Sequence, residues 1–262
     1  MSARLAGVAL VGVLAACAGR ADRAPRAAAE PSPEWATPQG RLSTQLELAE
    51  QLLDLGRTRE AMAMLSMVRQ ETDRPLLALD VLQARATLEL GMAGEAAAIL
   101  EPWLDNPPRD ADFHALLGLV RYDHGQHDLA KQSFERAIAI DPHHFDAHNN
   151  LGFLLLGSGR PELAIEQLRA ALELRPNDRR ARNNLGFALA ATGAERDALD
   201  VFRAANPEPT ALSNMGLAAE RRGETEQAIA WYRKALAKAQ DHAIAAEAIE
   251  RLEHPEQGDT QP

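Results

Sequence analysis

Cysteine is the scarcest reactive residue in this chain: one, Cys17, among 262 residues. No disulfide can close within the molecule, and no pair of thiols exists to chelate a metal or exchange electrons. Aromatic residues make up only 4 %. That is too few for the ring-rich faces of a β-sandwich, while the abundant Ala and Leu suit closely packed helices. Positive charge is also short: the formal net charge is −10, and no run of Lys or Arg offers the basic patch that nucleic-acid phosphates need. Several catalytic signatures are missing too. There is no Gly-rich phosphate loop, no His-Glu-x-x-His and no Gly-x-Ser-x-Gly. Nothing points to a cofactor or a small-molecule substrate.

What is present begins at the N-terminus. Arg4 is followed by an apolar stretch from Leu5 to Ala16 and then by Cys17. As a helix this stretch would reach about 18 Å, short of the ~30 Å hydrocarbon core, so it reads as a signal segment and not a membrane span. An ordinary secretory signal with a chance cysteine is one reading. The other rests on Leu14-Ala15-Ala16-Cys17, which resembles the bacterial lipobox. That resemblance implies removal of residues 1–16 and lipidation of Cys17, with two or more acyl chains giving stable attachment. Ala18, not Asp, at the second mature position implies the outer membrane by the enteric sorting rule, with the chain facing the periplasm. Residues 18–41 hold four prolines, many alanines and no apolar period, so we expect a disordered tether from Cys17 to residue 41. Trp35 is its one large apolar residue.

From Leu42 onward the chain repeats. With places counted from the start of each unit, residues 145–178 put Leu151 at place 7, Gly152 at 8, Gly159 at 15, Ala164 at 20, Leu168 at 24, Ala171 at 27 and Pro176 at 32. Residues 111–144 repeat this with Leu117, Gly118, Gly125, Ala130, Phe134, Ala137 and Pro142, and 209–242 with Met215, Gly216, Gly223, Ala228, Tyr232 and Ala235. Residues 179–208 give Leu185, Gly186, Gly193, Ala198, Phe202 and Ala205 and are then cut short. Weaker copies occupy 42–76 and 77–110. Places 7, 8 and 11 share one helical face, and places 20, 24 and 27 share a face of a second helix. Small residues at 8, 20 and 27 let the helices approach, and the large residue at 24 fills the hole beside them. One such hairpin cannot bury its own apolar face, so the units must stack. The pattern resembles the tetratricopeptide repeat (TPR). That resemblance implies an all-α, right-handed superhelical solenoid of about six helix pairs over residues 42–242. A capping helix is expected at 243–254 and a disordered tail at 255–262.

Six of the eight histidines fall between His114 and His148. The spacings of His124/His127 and His144/His148 allow a shared metal. Against this, most of the six fall in the polar turns between helices, and no Cys or carboxylate completes a familiar ligand set. Arg175, Arg179, Arg180 and Arg182 crowd one turn, with Arg221 and Arg222 at another; they read as solvated charges offset by Asp and Glu, or as contacts to partner carboxylates.

The five residues Asn-Asn-Leu-Gly-Phe occur twice, at 149–153 and 183–187. Leu and Gly serve the core, while the amides and the Phe lie on other faces of the helix. In tetratricopeptide proteins that part of the first helix lines the concave peptide groove. The resemblance therefore implies a partner-binding surface of Leu116, Asn150, Asn184 and Asn214 at place 6, beside Leu119, Phe153, Phe187 and Leu217 at place 9. Amides can bond to a peptide backbone from both sides, and an exposed apolar stripe marks a partner surface. The alternative is that the amides satisfy groups between repeats and the rings are partly covered by the neighbouring unit.

Lipobox, tether and about six repeats together resemble two groups of pilus lipoproteins. These are the pilotin (PilF/PilW-type) class of type IV pili, which assists secretin assembly, and the TadD class of tight-adherence pili. The resemblance implies a non-catalytic scaffold that binds an envelope protein or peptide segment, such as a secretin or pilus-assembly component. An adaptor or activator of peptidoglycan-processing enzymes is the rival, and a metal-dependent hydrolase is the remote third. For the anchor, Cys17→Ser should leave the repeats folded but release the protein to the soluble periplasm or leave it as uncleaved precursor. Fractionation with the outer membrane as in wild type would place anchoring elsewhere.

Overall fold

The structure is a computed structural model, and it describes residues 37–72 and 74–254. The signal segment, Cys17, Trp35 and the tail from 255 onward lie outside the described residues. The chain divides into two units at Thr44/Gln45. The described part of the first is the opening of α1 (Pro38–Asp54). This helix starts at Pro38 and not at Leu42, so residues 38–41, expected in the tether, are helical. The local reason is visible. The Thr37 hydroxyl accepts from the Gly40 N–H at 3.0 Å, and Pro38 occupies the first helical position, where a missing N–H costs nothing.

The second unit is all helical among the described residues. Among the described residues there are thirteen α-helices and one 3₁₀ turn, and no strand. After α1 come α2 (Thr58–Glu71), α3 (Leu77–Glu89), α4 (Ala93–Leu100), α5 (Ala111–Asp123), α6 (His127–Ile140), α7 (Phe145–Gly157) and α8 (Pro161–Leu174). Then follow α9 (Arg179–Ala191), α10 (Glu195–Ala205), α11 (Glu208–Arg221), α12 (Thr225–Lys238) and the capping helix α13 (Ala243–Glu253). These are the expected pairs, a first and a second helix per repeat. The first helices α3, α5, α7, α9 and α11 also pack on one another in succession. No comparable packing joins one second helix to the next. One face of the solenoid is therefore made of first helices.

Each unit closes through a short turn. Gly159 and Gly193 hold φ of 70° and 82°, a left-handed backbone that side chains resist, and this ends α7 and α9. The next helix then begins within two residues. Side-chain caps start many of the first helices: Asp110 accepts from the Phe113 N–H, Asp178 from Ala181 and the His144 ring from Ala147, at 2.8, 2.8 and 3.1 Å. The fifth unit is shortened as expected, since α10 stops at Ala205 and α11 starts at Glu208. The second unit departs from the pattern. Pro102 blocks continuation of α4, so the chain passes through a 3₁₀ turn at Glu101–Trp103.

The core is a single contact repeated. The place-24 residues Leu65, Leu100, Phe134, Leu168, Phe202 and Tyr232 are all buried. Phe134, Leu168, Phe202 and Tyr232 each pack against the place-8 glycine of their unit (Gly118, Gly152, Gly186, Gly216), and Leu100 shares a core cluster with the place-8 Ala84. A methyl built on Gly186 would sit 2.5 Å from the Phe202 ring, and one on Gly152 would sit 2.6 Å from Leu168. There is no room for it.

Gly186→Ala should therefore cost about 1–3 kcal/mol, lowering the Tm by roughly 2–4 °C per kcal/mol. Adding Phe202→Leu recreates the Ala84/Leu100 pair of the second unit. The double variant should lose less than the sum of the two single losses in a thermal-melt cycle. Strict additivity would mean that the ring is not what excludes the methyl.

Candidate functional site

The residues named from the Asn-Asn-Leu-Gly-Phe repeat come to lie on the face of first helices, but they do not share one role. Phe153 on α7 is 44 % exposed, with its ring 5.8 Å from Tyr122 of the preceding repeat in an edge-on contact. Leu217 on α11 is also exposed. Phe187 on α9 is half-buried and meets Phe202 edge-on at 4.9 Å, while the Arg221 guanidinium lies 4.6 Å from its centroid. It is partly a core residue. Leu119 is half-buried against the central core. Leu116, expected at the groove, is only 5 % exposed. It belongs to a core cluster with Phe113, Leu117 and Val120, against which Leu77 and Val81 of the neighbouring first helix α3 also pack.

The amides form a ladder. Asn149, 1 % exposed, donates to Asn150 Oδ1 and accepts from Asn184 Nδ2 of the next repeat, both at 3.1 Å. One repeat further, Asn183 Oδ1 accepts from Asn214 Nδ2 at 3.4 Å and from Asn206 Nδ2 at 2.6 Å. Thus a place-5 amide of one unit receives a bond from the place-6 amide of the unit after it. The pairing between repeats that the sequence left as an alternative is present. Asn150, Asn184 and Asn214 stay half-buried at the surface, with donors and acceptors beyond those used in the ladder. The ladder ends at Ser213, whose buried Oγ has no hydrogen-bond partner among the described residues.

Between these helices runs a groove of about 390 Å³ lined by Phe153, Leu156, Phe187, Ala218, Arg221 and Arg222, among others. Its floor is apolar and its charged end is supplied by α11. Arg222 is fully engaged there: it donates to Ala190 O at 2.9 Å, to Glu195 at 3.0 Å and to Glu224 at 2.6 Å, which ties α11 to the turn of the previous repeat. The sequence left Arg221 and Arg222 as solvated charges or contacts to partner carboxylates, without a link to Phe187. The signal was the place of Arg221, in the last turn of the first helix and four residues beyond Leu217.

The histidines separate into individual structural tasks. His114 Nε2 meets Pro108 O at 3.1 Å and His148 Nε2 meets Pro142 O at 3.0 Å. The same place in each unit is thus tied to the proline carbonyl before it. His148 Nδ1 reaches Gln167 at 2.9 Å, and His124 Nδ1 contacts Val120 O at 2.8 Å. His127 stacks on Tyr122 with 5.1 Å between centroids. His144 caps α7 with Nδ1, so its proton sits on Nε2 and is donated to Asp112 at 3.0 Å. Burial alone would push His144 down, but this bond and the charges of Asp112, Asp146 and Asp141 raise it above its ordinary pKa. The bond from His144 in turn lowers Asp112. Burial lowers His114. No group of three or more His, Cys, Asp or Glu among the described residues could hold a metal ion. The Arg cluster is likewise local: Arg180 pairs with Asp146 at 2.8 Å, Arg175 lies 4.2 Å over the Phe145 ring, and Arg182 donates to Ala204 O at 2.7 Å.

Family models of the tetratricopeptide repeat match residues 81–145, 121–185 and 209–242, together more than half of the chain. No curated protein matches it. Among solved structures, YrrB, described as a TPR protein with an unusual peptide-binding site, is 25 % identical with a TM-score of 0.54, over 71 % of this chain and 97 % of that one. The Pseudomonas aeruginosa pilF structure is 17 % identical with a TM-score of 0.60, over 80 % and 96 %. The Cut9–Hcn1 hetero-tetramer of the APC/C is 17 % identical with a TM-score of 0.62, over 80 % of this chain and 42 % of that one. The last two likenesses concern the fold alone.

The ladder makes a measurable claim. Asn149→Leu removes a buried amide that serves both Asn150 and Asn184, and should cost about 1–3 kcal/mol in urea unfolding. Asn150→Ala, at the half-exposed end of the ladder, should cost under about 1 kcal/mol. Equal costs would mean that the buried amide does not join the repeats.

Proposed function

Because the chain is a tetratricopeptide-repeat protein, we propose that it is a non-catalytic scaffold that captures an extended segment of an envelope protein in the groove at Phe153. One observation carries this reading: a ring left 44 % exposed on an apolar groove between repeats whose own core is otherwise closed. An exposed apolar group in a groove has most to gain from a partner. The half-exposed amides at Asn150, Asn184 and Asn214 stand beside it, fixed in orientation by the ladder, so the surface is preorganised for a peptide backbone.

The segment before the repeats supports an anchored, periplasm-facing protein. Lipidation at Cys17 would hold the groove near the outer membrane on a tether that ends at Thr37. No helix among the described residues is long and apolar enough to cross a membrane. The partner we assign is a pilus-assembly or secretin component, on the strength of that layout of lipobox, tether and repeats.

Two measurements test this. Phe153→Ala removes an exposed ring and should leave the melting profile near that of the parent while weakening partner binding about thirtyfold. Phe187→Ala should lose stability as well, because its ring also packs on Phe202. A photo-crosslinking residue at position 217 in the lipidated protein should yield adducts with a pilus or secretin component in cells. Adducts confined to cell-wall enzymes, with normal piliation in the Phe153→Ala strain, would instead favour the peptidoglycan adaptor.

A further inference from the structure

The groove contains one charge that the chain itself leaves unanswered. Arg221 is exposed, lies 4.6 Å from the Phe187 centroid and forms no ion pair among the described residues. Three arginines of the last repeats are engaged by carboxylates: Arg222 by Glu195 and Glu224, Arg203 by Glu208 and Arg251 by Glu220. Glu220, next to Arg221 in the chain, already accepts from Arg251 at 2.6 Å and from the Tyr232 hydroxyl. The nearest carboxylate in sequence is thus occupied, on a different side of α11.

A guanidinium held over a ring by its charge keeps its N–H donors, because the ring offers them no oxygen acceptor. These N–H donors lie in the plane and point outward around the edge, the geometry that takes a carboxylate on two bonds. Arg221 therefore keeps its strongest donors free while the ring restricts its motion. Phe153, Leu156, Phe187 and Ala218 line the same groove, and Leu217 extends the apolar surface one turn back along α11. In a protein of formal net charge −10, an isolated positive group in an apolar groove discriminates by sign.

We infer that the groove takes a protein segment in which an Asp or Glu side chain stands beside an aliphatic or aromatic one. The apolar side chain rests on Phe153 and Leu156, and the carboxylate pairs with Arg221 where it lies over Phe187. This inference rests on the groove reading above and names the chemistry of its occupant.

The test pans random peptides, displayed at the N-terminus of a phage coat protein and so without a free carboxyl end, against the soluble Cys17→Ser chain. Enriched peptides should place Asp or Glu next to, or next but one from, Leu, Ile, Phe or Trp. A synthetic, C-terminally amidated copy should bind at least about tenfold more weakly to Arg221→Gln, as a charge-assisted bond is lost. Changing its acid to the matching amide should have the same effect on the parent but little on Arg221→Gln. Arg221→Glu should shift the selected peptides towards Lys and Arg. Thermal melts of each variant establish that it is folded. Peptides that need Phe153 but show no acidic preference, or keep it with Arg221→Gln, overturn this inference and leave the groove reading standing. If Phe153→Asp selects the same peptides as the parent, the groove reading itself falls.

Discussion

The close approach of two helices at places 8 and 24 governs everything else in this molecule. Gly118, Gly152, Gly186 and Gly216 give up side chains so that Phe134, Leu168, Phe202 and Tyr232 can lie directly on the helix backbone. Leaving out a methyl costs helix propensity, about 1 kcal/mol for Gly against Ala. Burying a large side chain on the exposed backbone offsets that loss. The contact fixes which way each first helix is turned. At roughly 100° per residue, place 9 is rotated well away from it, and that is why Phe153 and Leu217 reach the surface at all. The binding face is a by-product of how the core is closed.

That same rotation explains what could and could not be read in advance. The helix pairs, their register, the shortened fifth unit and the capping helix follow from residues that recur at fixed intervals, and periodicity is the signal a sequence carries best. The roles of the two amides do not follow so simply. Place 5 lies about 60° from place 8, between the core contact and the groove, so Asn149 is buried although its neighbour Asn150 is not. Leu116 and Asn150 hold equivalent places, yet one is enclosed and the other half-exposed. The difference lies in the preceding unit, where α3 adds Leu77 and Val81 to the cluster that holds Leu116. Burial at a repeat junction depends on two units at once, and reading one unit at a time misses it. The start at Pro38 was missed for a different reason: it is marked by Thr37 and a proline, not by any apolar period.

The histidines teach a related lesson about clustering. Six fall within one stretch of sequence, which suggested a shared ligand. In the fold they are spread over separate junctions. His114 and His148 repeat one job, holding the carbonyl of a proline at the end of the previous unit, and His144 caps the helix that follows. A cluster along the chain of a repeat protein often means one task performed several times.

The amide ladder has a direction. At two successive junctions the place-6 amide, Asn184 or Asn214, donates back to the place-5 amide of the unit before it, so each of these junctions has a giving side and a receiving side. Ser213 stands at the last receiving position, and the capping helix brings Ala248 to the place from which a donor would come. A side chain that meets no donor is thus already installed at the C-terminal end. Lengthening this array by duplication would need only an amide on the incoming helix to complete the next junction, and such a duplication would carry the groove forward with it, one unit at a time.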